Sequence, residues 1–290
     1  MPIAAVALVH LTDPESLMSA LTRWALPVAA LAMPLVSWLT QSGTFGGDVG
    51  AESNRFRTLV VPAGYAFGIW GLVFLLDLLF AGWQAAPSRA DERSLNAVRP
   101  WAIAGFVLTA AWMPVFVQQW YTGAVIVIWG SLVAMLWAAV VAARAAPGSA
   151  AASPVVRVPL ALHAGWLSLA ALVNTAQWAL ALGWTSEATQ WPLSIGLWAG
   201  AAVLLLAVQR ALASSGPALL AYSAAAAWGL VGVVIQQRAS ELAFAAASAM
   251  VAAGLLLALG LHGAWLLRRA QVGHPAPDGV DNVSRAPVRR

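Results

Sequence analysis

One acidic residue, Asp77, lies inside the almost entirely apolar segment GIWGLVFLLDLLFAGWQ, residues 68–84. A charged carboxylate near the centre of a bilayer costs about 2.5–3.5 kcal/mol on insertion scales, so this side chain must be neutral, face protein or pair. His163, in another apolar segment, is expected at a similar depth, since helical rise places the two about 12 and 9 Å from their cytoplasmic helix ends. Our hypothesis is a hydrogen bond from Asp77 to His163 or to a nearby hydroxyl. The alternatives are a protonated Asp77 without this partner, or an Asp77 that faces extra helices.

Tryptophan is the second unusual feature, with 16 residues in a chain of 290. Several stand near the ends of apolar segments, where indoles anchor helices at the membrane interface. Others lie deeper, and because a buried indole N–H needs a partner, they favour a cavity wall or a helix interface. Helical rise places Trp70, Trp112, Asn174 and Trp178 together in the outer half of the membrane. The alternative is that these side chains only hold neighbouring helices together.

The composition excludes several classes of function. Charged residues make up 9% of the chain, hydrophobic residues 61%, and the mean hydropathy is +0.78, whereas soluble domains carry about 25% charged residues. The absence of cysteine excludes disulfides and thiol chemistry. The net charge of +4 is spread between apolar runs, so no nucleic-acid partner is expected. We find no Ser/His/Asp set, P-loop or metal-spaced cluster, and we predict neither catalytic residues nor a metal site.

The apolar segments predict an all-α integral membrane protein, because a spanning helix needs about 20 mostly apolar residues. Stretches rich in Gly, Pro, Ser and charged residues separate the segments. The eight predicted spans are 20–40, 63–84, 100–119, 121–144, 156–183, 190–210, 216–236 and 241–267.

The arginine distribution predicts the orientation of these spans. All 15 basic residues are arginine, and with eight spans only Arg55, Arg57 and Arg238 fall on the side opposite the termini. The positive-inside rule therefore places both termini in the cytoplasm. The N-terminus lacks a basic region before its short apolar run, so we expect no cleavable signal and insertion by the first span. The Arg-only, Ala-rich composition is typical of GC-rich bacteria, which suggests the bacterial inner membrane.

Three motifs follow one another along the first five spans. They read FGIW in the second, LTAAWMPVF in the third and WLSLAALVNTAQW in the fifth. Together they resemble the TspO/MBR family, the tryptophan-rich sensory proteins related to the mitochondrial translocator protein, over residues 20–183. That family shows F-G-P-V-W-T, L-N-x-x-W-x-P-x-F-F and W-x-x-x-A-x-x-x-N-x-x-x-W in these helices. The matching residues are Phe67, Gly68 and Trp70; Leu108, Trp112, Pro114 and Phe116; and Trp166, Ala170, Asn174 and Trp178.

The chain departs from the family pattern at several positions. Thr109 stands in place of the third-helix Asn, and Ile69 stands where the second-helix pattern has Pro. The Tyr of the proposed cholesterol pattern is missing near the end of the fifth span, so the resemblance does not imply sterol binding. Short members of the family have no counterpart of the last three spans, to which we assign no role.

The resemblance implies a five-helix TspO-like bundle, here joined by about three additional transmembrane helices. We expect an N-terminal segment at 1–19, the five-helix domain at 20–184, a three-helix extension at 185–268 and a disordered cytoplasmic tail at 269–290. The family binds hydrophobic ligands, tetrapyrroles among them, in a cavity between its helices. The residues expected to bind the ligand are Trp70, Trp112, Asn174, Trp178, Phe67, Pro114, Phe116 and Trp166.

The expected function is that of a membrane receptor or carrier for a small hydrophobic ligand, such as a porphyrin or another tetrapyrrole. No resident cofactor is expected, and a porphyrin or haem enters only as the ligand. Axial haem ligation by His163 and His262 is an alternative that rests on these two histidines alone. The partners are the lipid bilayer, the ligand and, by resemblance, a second copy of the chain. We expect no enzyme, although some family members promote photo-oxidative breakdown of a bound porphyrin. Proton-coupled transport through Asp77 and a purely structural subunit remain alternatives.

Overall fold

A computed structural model describes residues 14–90 and 92–272 of the chain. This part contains eight long helices and no strand, and each is long and apolar enough to cross a membrane when the second is counted with the 3₁₀ turn Gly64–Gly68 before it. The chain is therefore an all-α, multi-pass membrane protein. The helices are α1 Pro14–Gln41, α2 Ile69–Gln84, α3 Arg99–Val117, α4 Tyr121–Arg144, α5 Pro154–Ala181, α6 Trp191–Leu212, α7 Gly216–Arg238 and α8 Ala245–Val272.

The predicted number and order of the spans are confirmed, and differences occur only at helix ends. α1 begins at Pro14, inside the predicted N-terminal segment 1–19, and α8 continues to Val272, inside the predicted tail 269–290. The remainder of both predicted terminal segments lies outside the described residues. The span predicted to begin at residue 63 opens with a 3₁₀ turn, Gly64–Gly68, that leads directly into α2.

The end of α5 shows how local sequence terminates a helix. Gly183 has φ +69°, a left-handed conformation that glycine adopts without steric cost. The N–H of Gly183 bonds to Leu180 O, and the N–H of Trp184 bonds to Ala179 O, both at 3.0 Å. This is the Schellman pattern, which satisfies carbonyls that would otherwise remain free at the end of the helix.

The central helix is α5, which packs against α2, α4, α6 and α7 and is the most buried of the eight. α1 packs on α2 and α3, and α8 packs on α6 and α7, so these two lie at opposite margins. Close approach of α5 and α7 depends on Gly165, where an added Cβ would lie 2.5 Å from Tyr222 O. Because α5 packs against α2 and α4 and also against α6 and α7, the first five helices and the last three form one bundle.

Candidate ligand-binding site

A row of four aromatic rings joins α2 and α3. The indoles of Trp70 and Trp112 stack with centroids 6.4 Å apart and an interplanar angle of 29°. Phe74 stacks on Trp70 at 5.4 Å, and Phe116 stacks on Trp112 at 5.1 Å. Each phenylalanine follows its tryptophan by four residues, the spacing that places two side chains on one face of a helix. We call these four residues the aromatic wall.

Asn174 is held in place by hydrogen bonds within the protein. Trp112 Nε1 donates to Asn174 Oδ1 at 2.9 Å, and Asn174 Nδ2 donates to Ala170 O at 3.1 Å. The side chain thereby links α3 to α5 and orients the indole of the aromatic wall. These two bonds use one lone pair of Oδ1 and one hydrogen of Nδ2, so Asn174 positions the indole of Trp112 and retains one acceptor and one donor.

A groove of about 510 Å³ runs along one side of the aromatic wall. It lies at the end of the bundle that carries the loop between α1 and α2, and we call it the outer groove. Its volume is in the range of sites for drug-sized ligands, about 300–1,000 Å³. Its lining residues are Pro34, Ser37, Trp38 and Gln41 of α1; Asp48, Val49 and Gly50 of the loop; Phe67, Gly68, Trp70, Gly71 and Phe74; and Trp112 and Met113.

A second, much smaller space of about 30 Å³ lies deeper in the protein, and we call it the inner cavity. Phe67, Trp70 and Trp112 line both spaces, so the two are neighbours across these rings. The remaining lining residues of the inner cavity are Ser53, Val60 and Pro62 of the loop, Phe116 of α3, Trp166, Leu169, Ala170, Leu172, Val173 and Asn174 of α5, Leu197 and Trp198 of α6, and Gly229 and Val233 of α7.

The structure brings most of the predicted ligand-binding residues together, with two exceptions. Pro114 and Trp178 line neither the outer groove nor the inner cavity. Trp178 Nε1 instead donates to Thr122 Oγ1 at 2.9 Å, and its ring contacts Trp184 edge to face at 4.5 Å. The depth of Trp178 along α5 is compatible with the site, but the side chain points to α4 and the following turn.

Sequence reasoning missed the contribution of the extension to the inner cavity. Leu197 and Trp198 from α6, and Gly229 and Val233 from α7, form the side of the cavity away from the aromatic wall. Trp198 is 5% exposed, and its Nε1 donates to Ser248 Oγ of α8 at 3.0 Å. The sequence feature that could have indicated this contribution is Trp198 itself: a tryptophan well inside an apolar span favours contact with protein over contact with lipid.

The extension also holds the irregular segment 57–66 that precedes α2. Gln190 donates to Arg57 O and accepts from Leu59 N, both at 2.9 Å. Gln237 Nε2 lies 3.1 Å from Thr58 O and 3.3 Å from Val61 O and donates to both. Three further hydrogen bonds connect the extension to the segment: from Trp228 Nε1 to Ala66 O, from Ala63 N to Gly232 O and from Ser248 Oγ to Leu59 O.

Backbone N–H and C=O groups outside regular helices need hydrogen-bond partners within the protein when they lie in the membrane, because lipid offers none.

Asp77 belongs to a buried network that lines neither space, although His163 contacts the indole of Trp70 edge to face, with ring centroids 5.8 Å apart. Its Oδ2 lies 2.8 Å from His163 Nδ1, so the contact hypothesised from the sequence is present. His163 Nε2 lies 3.2 Å from Thr109 Oγ1, which is 2.7 Å from Ser131 Oγ. Ser131 donates to Gly105 O at 3.0 Å. The network therefore joins α2, α3, α4 and α5, and Thr109 has a role in it although it departs from the family pattern.

His163 and His262 are engaged by different partners. Asp77 and Thr109 occupy the two ring nitrogens of His163. His262 Nδ1 lies 2.7 Å from Gln209 Oε1, and Gln209 also bonds to Ser223 and to Leu259 O within the extension. Axial ligation of one haem by the two histidines would require His163 to give up one of these bonds, so the geometry offers this idea no support.

The comparison with protein families agrees with this arrangement. The model of a family described as TSPO-like protein matches residues 23–261, a range that runs from α1 into α8. No curated protein and no solved structure matches the chain. The match extends past the five spans that carry the sequence motifs and includes most of the extension. The chain belongs to the TSPO-like protein family.

Proposed function

We propose that this protein is a membrane receptor or carrier that binds a flat hydrophobic ligand, a porphyrin or another tetrapyrrole, in the outer groove. The main supporting observation is that the groove, about 510 Å³ in volume, has two near-parallel indoles, Trp70 and Trp112, along one side. Flat aromatic ligands stack on such faces. Proteins of the TspO type bind tetrapyrroles, which makes this ligand class the first to test.

The polar groups of the outer groove suit the orientation of such a ligand. Ser37 and Gln41 lie on the last turns of α1, and Gln41 Nε2 is 3.2 Å from Ser37 Oγ. Asp48 Oδ1 accepts from Ala51 N at 2.8 Å and caps the short helix Val49–Asn54. The Gln41 amide and the Ser37 hydroxyl can donate to carboxylates at the ligand edge, which would lie away from the Asp48 carboxylate because like charges repel, while the macrocycle contacts the aromatic wall. Few polar groups in a mostly apolar site are typical of specific ligand pockets.

A second candidate function is light-driven breakdown of the bound porphyrin. The rings of Phe74, Trp70, Trp112 and Phe116 follow one another with centroid separations of 5.4, 6.4 and 5.1 Å. Indoles in such a row can donate electrons to a porphyrin that has been excited by light. Loss of the porphyrin absorption band on illumination, faster than with Trp70→Leu protein, would favour this enzyme-like function. A stable band would favour the receptor or carrier.

We further propose that the protein lies in a bacterial inner membrane with both termini in the cytoplasm and that it forms a homodimer. The orientation is supported by the observed helices: among the arginines of residues 14–90 and 92–272, only Arg55, Arg57 and Arg238 fall on the side opposite the termini. Asp77 lines neither space and is bonded to His163. We therefore give it a structural role and favour ligand binding over proton-coupled transport.

The proposed function is tested by titrating the purified protein with protoporphyrin and following tryptophan emission. Saturable quenching is expected for the wild type, and Trp70→Leu is expected to weaken binding about tenfold, since it removes one stacking face. Trp178→Leu is the matched control, because it removes another indole that lines neither space. Linear, non-saturating quenching of the wild type, or equal losses in the two variants, would contradict the proposal.

A further inference from the structure

The indole N–H of Trp166 is buried and has no hydrogen-bond partner in the described part of the chain. The side chain is 2% exposed. Other tryptophans of the bundle have acceptors: Trp112 donates to Asn174, Trp198 to Ser248, and Trp129 to Thr175 Oγ1 at 3.0 Å. A buried donor without an acceptor is destabilising, so it requires an explanation such as an absent ligand.

Trp166, the residue that carries this unpartnered donor, is one of the residues that line the inner cavity. A water molecule needs about 10–15 Å³ of such space, so about 30 Å³ accommodates roughly two or three heavy atoms. The lining contains no charged side chain, so a charged group would be buried there without a counterion, at high cost. An indole N–H only donates. The group that fits is therefore small, neutral and equipped with one acceptor.

The inner cavity is placed to receive part of a ligand that lies in the outer groove. Phe67, Trp70 and Trp112 line both spaces, and rotation of the Phe67 ring would open a path between them while Trp112 stays bonded to Asn174. On the far side, Trp198 is fixed by Ser248, and Val233 is 3% exposed. Thus α6 and α7 limit how far a substituent can extend.

We propose that the inner cavity binds one neutral, carbonyl-bearing substituent at the edge of the ligand, whose oxygen accepts a hydrogen bond from Trp166 Nε1. The extension helices close the far side of this subsite and thereby restrict the substituent to about three heavy atoms. An acetyl group has this size and this single acceptor. The inference rests on the proposed function, because it specifies which ligands of that class the site prefers.

The test compares two porphyrins that share their macrocycle and propionates. Diacetyldeuteroporphyrin carries acetyl groups where mesoporphyrin carries ethyl groups, so the pair differs at the substituent that would enter the cavity. Titration of the full-length protein is expected to show about fivefold tighter binding of the diacetyl compound, the value of one net hydrogen bond. In Trp166→Phe, which keeps an aromatic ring and removes the donor, this preference is expected to disappear.

Trp129→Phe is the matched control, since Trp129 lines neither space and its indole N–H already has a partner. It should retain the fivefold preference. Trp166→Phe removes buried packing as well as the donor, so the readout is the ratio of the two affinities, which a general loss of packing would leave at about five. Equal binding of both porphyrins to the wild type, or a preference that survives in Trp166→Phe, would overturn the inference and leave the proposed function intact. Absence of saturable binding of either porphyrin would overturn both.

The contribution of the extension is tested separately. Val233→Ile adds one methyl group at the far side of the inner cavity and is expected to weaken binding of the diacetyl porphyrin about fivefold. Val203→Ile on α6 makes the same change at a site that is 71% exposed and should leave binding unchanged. Unchanged affinity in Val233→Ile would mean that the substituent does not reach α7, which contradicts the inference.

Discussion

The carboxyl oxygen Oδ2 of Asp77 lies 2.8 Å from Nδ1 of His163, and both side chains are fully buried. The pair connects α2 to α5, and its second ring nitrogen continues through Thr109 to α3 and through Ser131 to α4. One polar network thus links four helices in a surround that offers few other polar contacts. In an apolar medium such a network favours this set of neighbouring helices, because separating them would leave more of its atoms unpaired; within the described residues Asp77 Oδ1 already has no partner.

The hydroxyl hydrogens of this network determine the charge of the pair. Ser131 uses its single hydrogen on Gly105 O, so Thr109 must donate to Ser131. His163 Nε2 must then carry a hydrogen and donate to Thr109. At the other nitrogen, either a protonated Asp77 donates to His163 or an imidazolium donates to a carboxylate. In both cases the pair is electrically neutral, which is the state that membrane burial favours.

The Asp77–His163 contact predicts strong coupling between substitutions at the two positions. Asp77→Leu and His163→Leu should each lower the free energy of unfolding by about 3 kcal/mol, because each leaves the other polar group buried without its partner. The double variant should lose clearly less than the sum, since two packed leucines need no partner. Denaturant unfolding in detergent micelles measures all four proteins.

Trp129→Phe combined with Asp77→Leu serves as the control cycle, because Trp129 bonds to Thr175 and takes no part in the network. Its two effects should add within about 0.5 kcal/mol. Additive losses in the Asp77–His163 cycle would show that the contact does not stabilise the protein.

The sequence predicted how deep each residue lies in the membrane better than it predicted which neighbouring helix each side chain contacts. The eight spans and the Asp77–His163 contact could be predicted, because length, hydropathy and helical rise determine depth. Helical rise does not determine which neighbour a side chain meets, and Trp178 therefore contacts Thr122 and Trp184 and lines neither the outer groove nor the inner cavity. For the same reason, the sequence motifs of five spans did not reveal that α6 and α7 complete the inner cavity.

The hydrogen bonds from the extension to the segment 57–66 predict that replacing Gln237 destabilises the protein much more than replacing its neighbour Gln236. Gln237→Leu removes the donor shared by Thr58 O and Val61 O and should lower the free energy of unfolding by about 2 kcal/mol. Amide hydrogen exchange in the segment should accelerate about tenfold or more. Mass spectrometry of exchanged peptides measures this directly.

Gln236→Leu is the adjacent control, since Gln236 is only partly buried on the same helix. It should change neither stability nor exchange by much. Equal exchange of the segment in both variants would mean that the extension does not hold it.

The close approach of α5 and α7 predicts opposite effects for two Gly→Ala substitutions. At Gly165 the new Cβ would lie 2.5 Å from Tyr222 O, a backbone atom, so the helices must separate at a cost of about 2–3 kcal/mol. At Gly196 of α6 no atom lies within 4 Å, and alanine should stabilise the helix by up to about 1 kcal/mol. Thermal unfolding of the two variants compares them. A neutral Gly165→Ala would contradict the packing.

The topology can be tested by cysteine labelling, because the chain contains no native cysteine that would also react. Single cysteines introduced at Ser42, Ser186 and Ser214 lie in the turns after α1, α5 and α6. With both termini in the cytoplasm, a membrane-impermeant maleimide added to intact cells should label Ser42→Cys and Ser186→Cys. Ser214→Cys should react only after the membrane is opened. The positive-inside rule gives this direction, since most arginines of the described residues lie at the helix ends and turns on the same side as the termini. The reverse labelling pattern would invert the protein and place the outer groove on the cytoplasmic side.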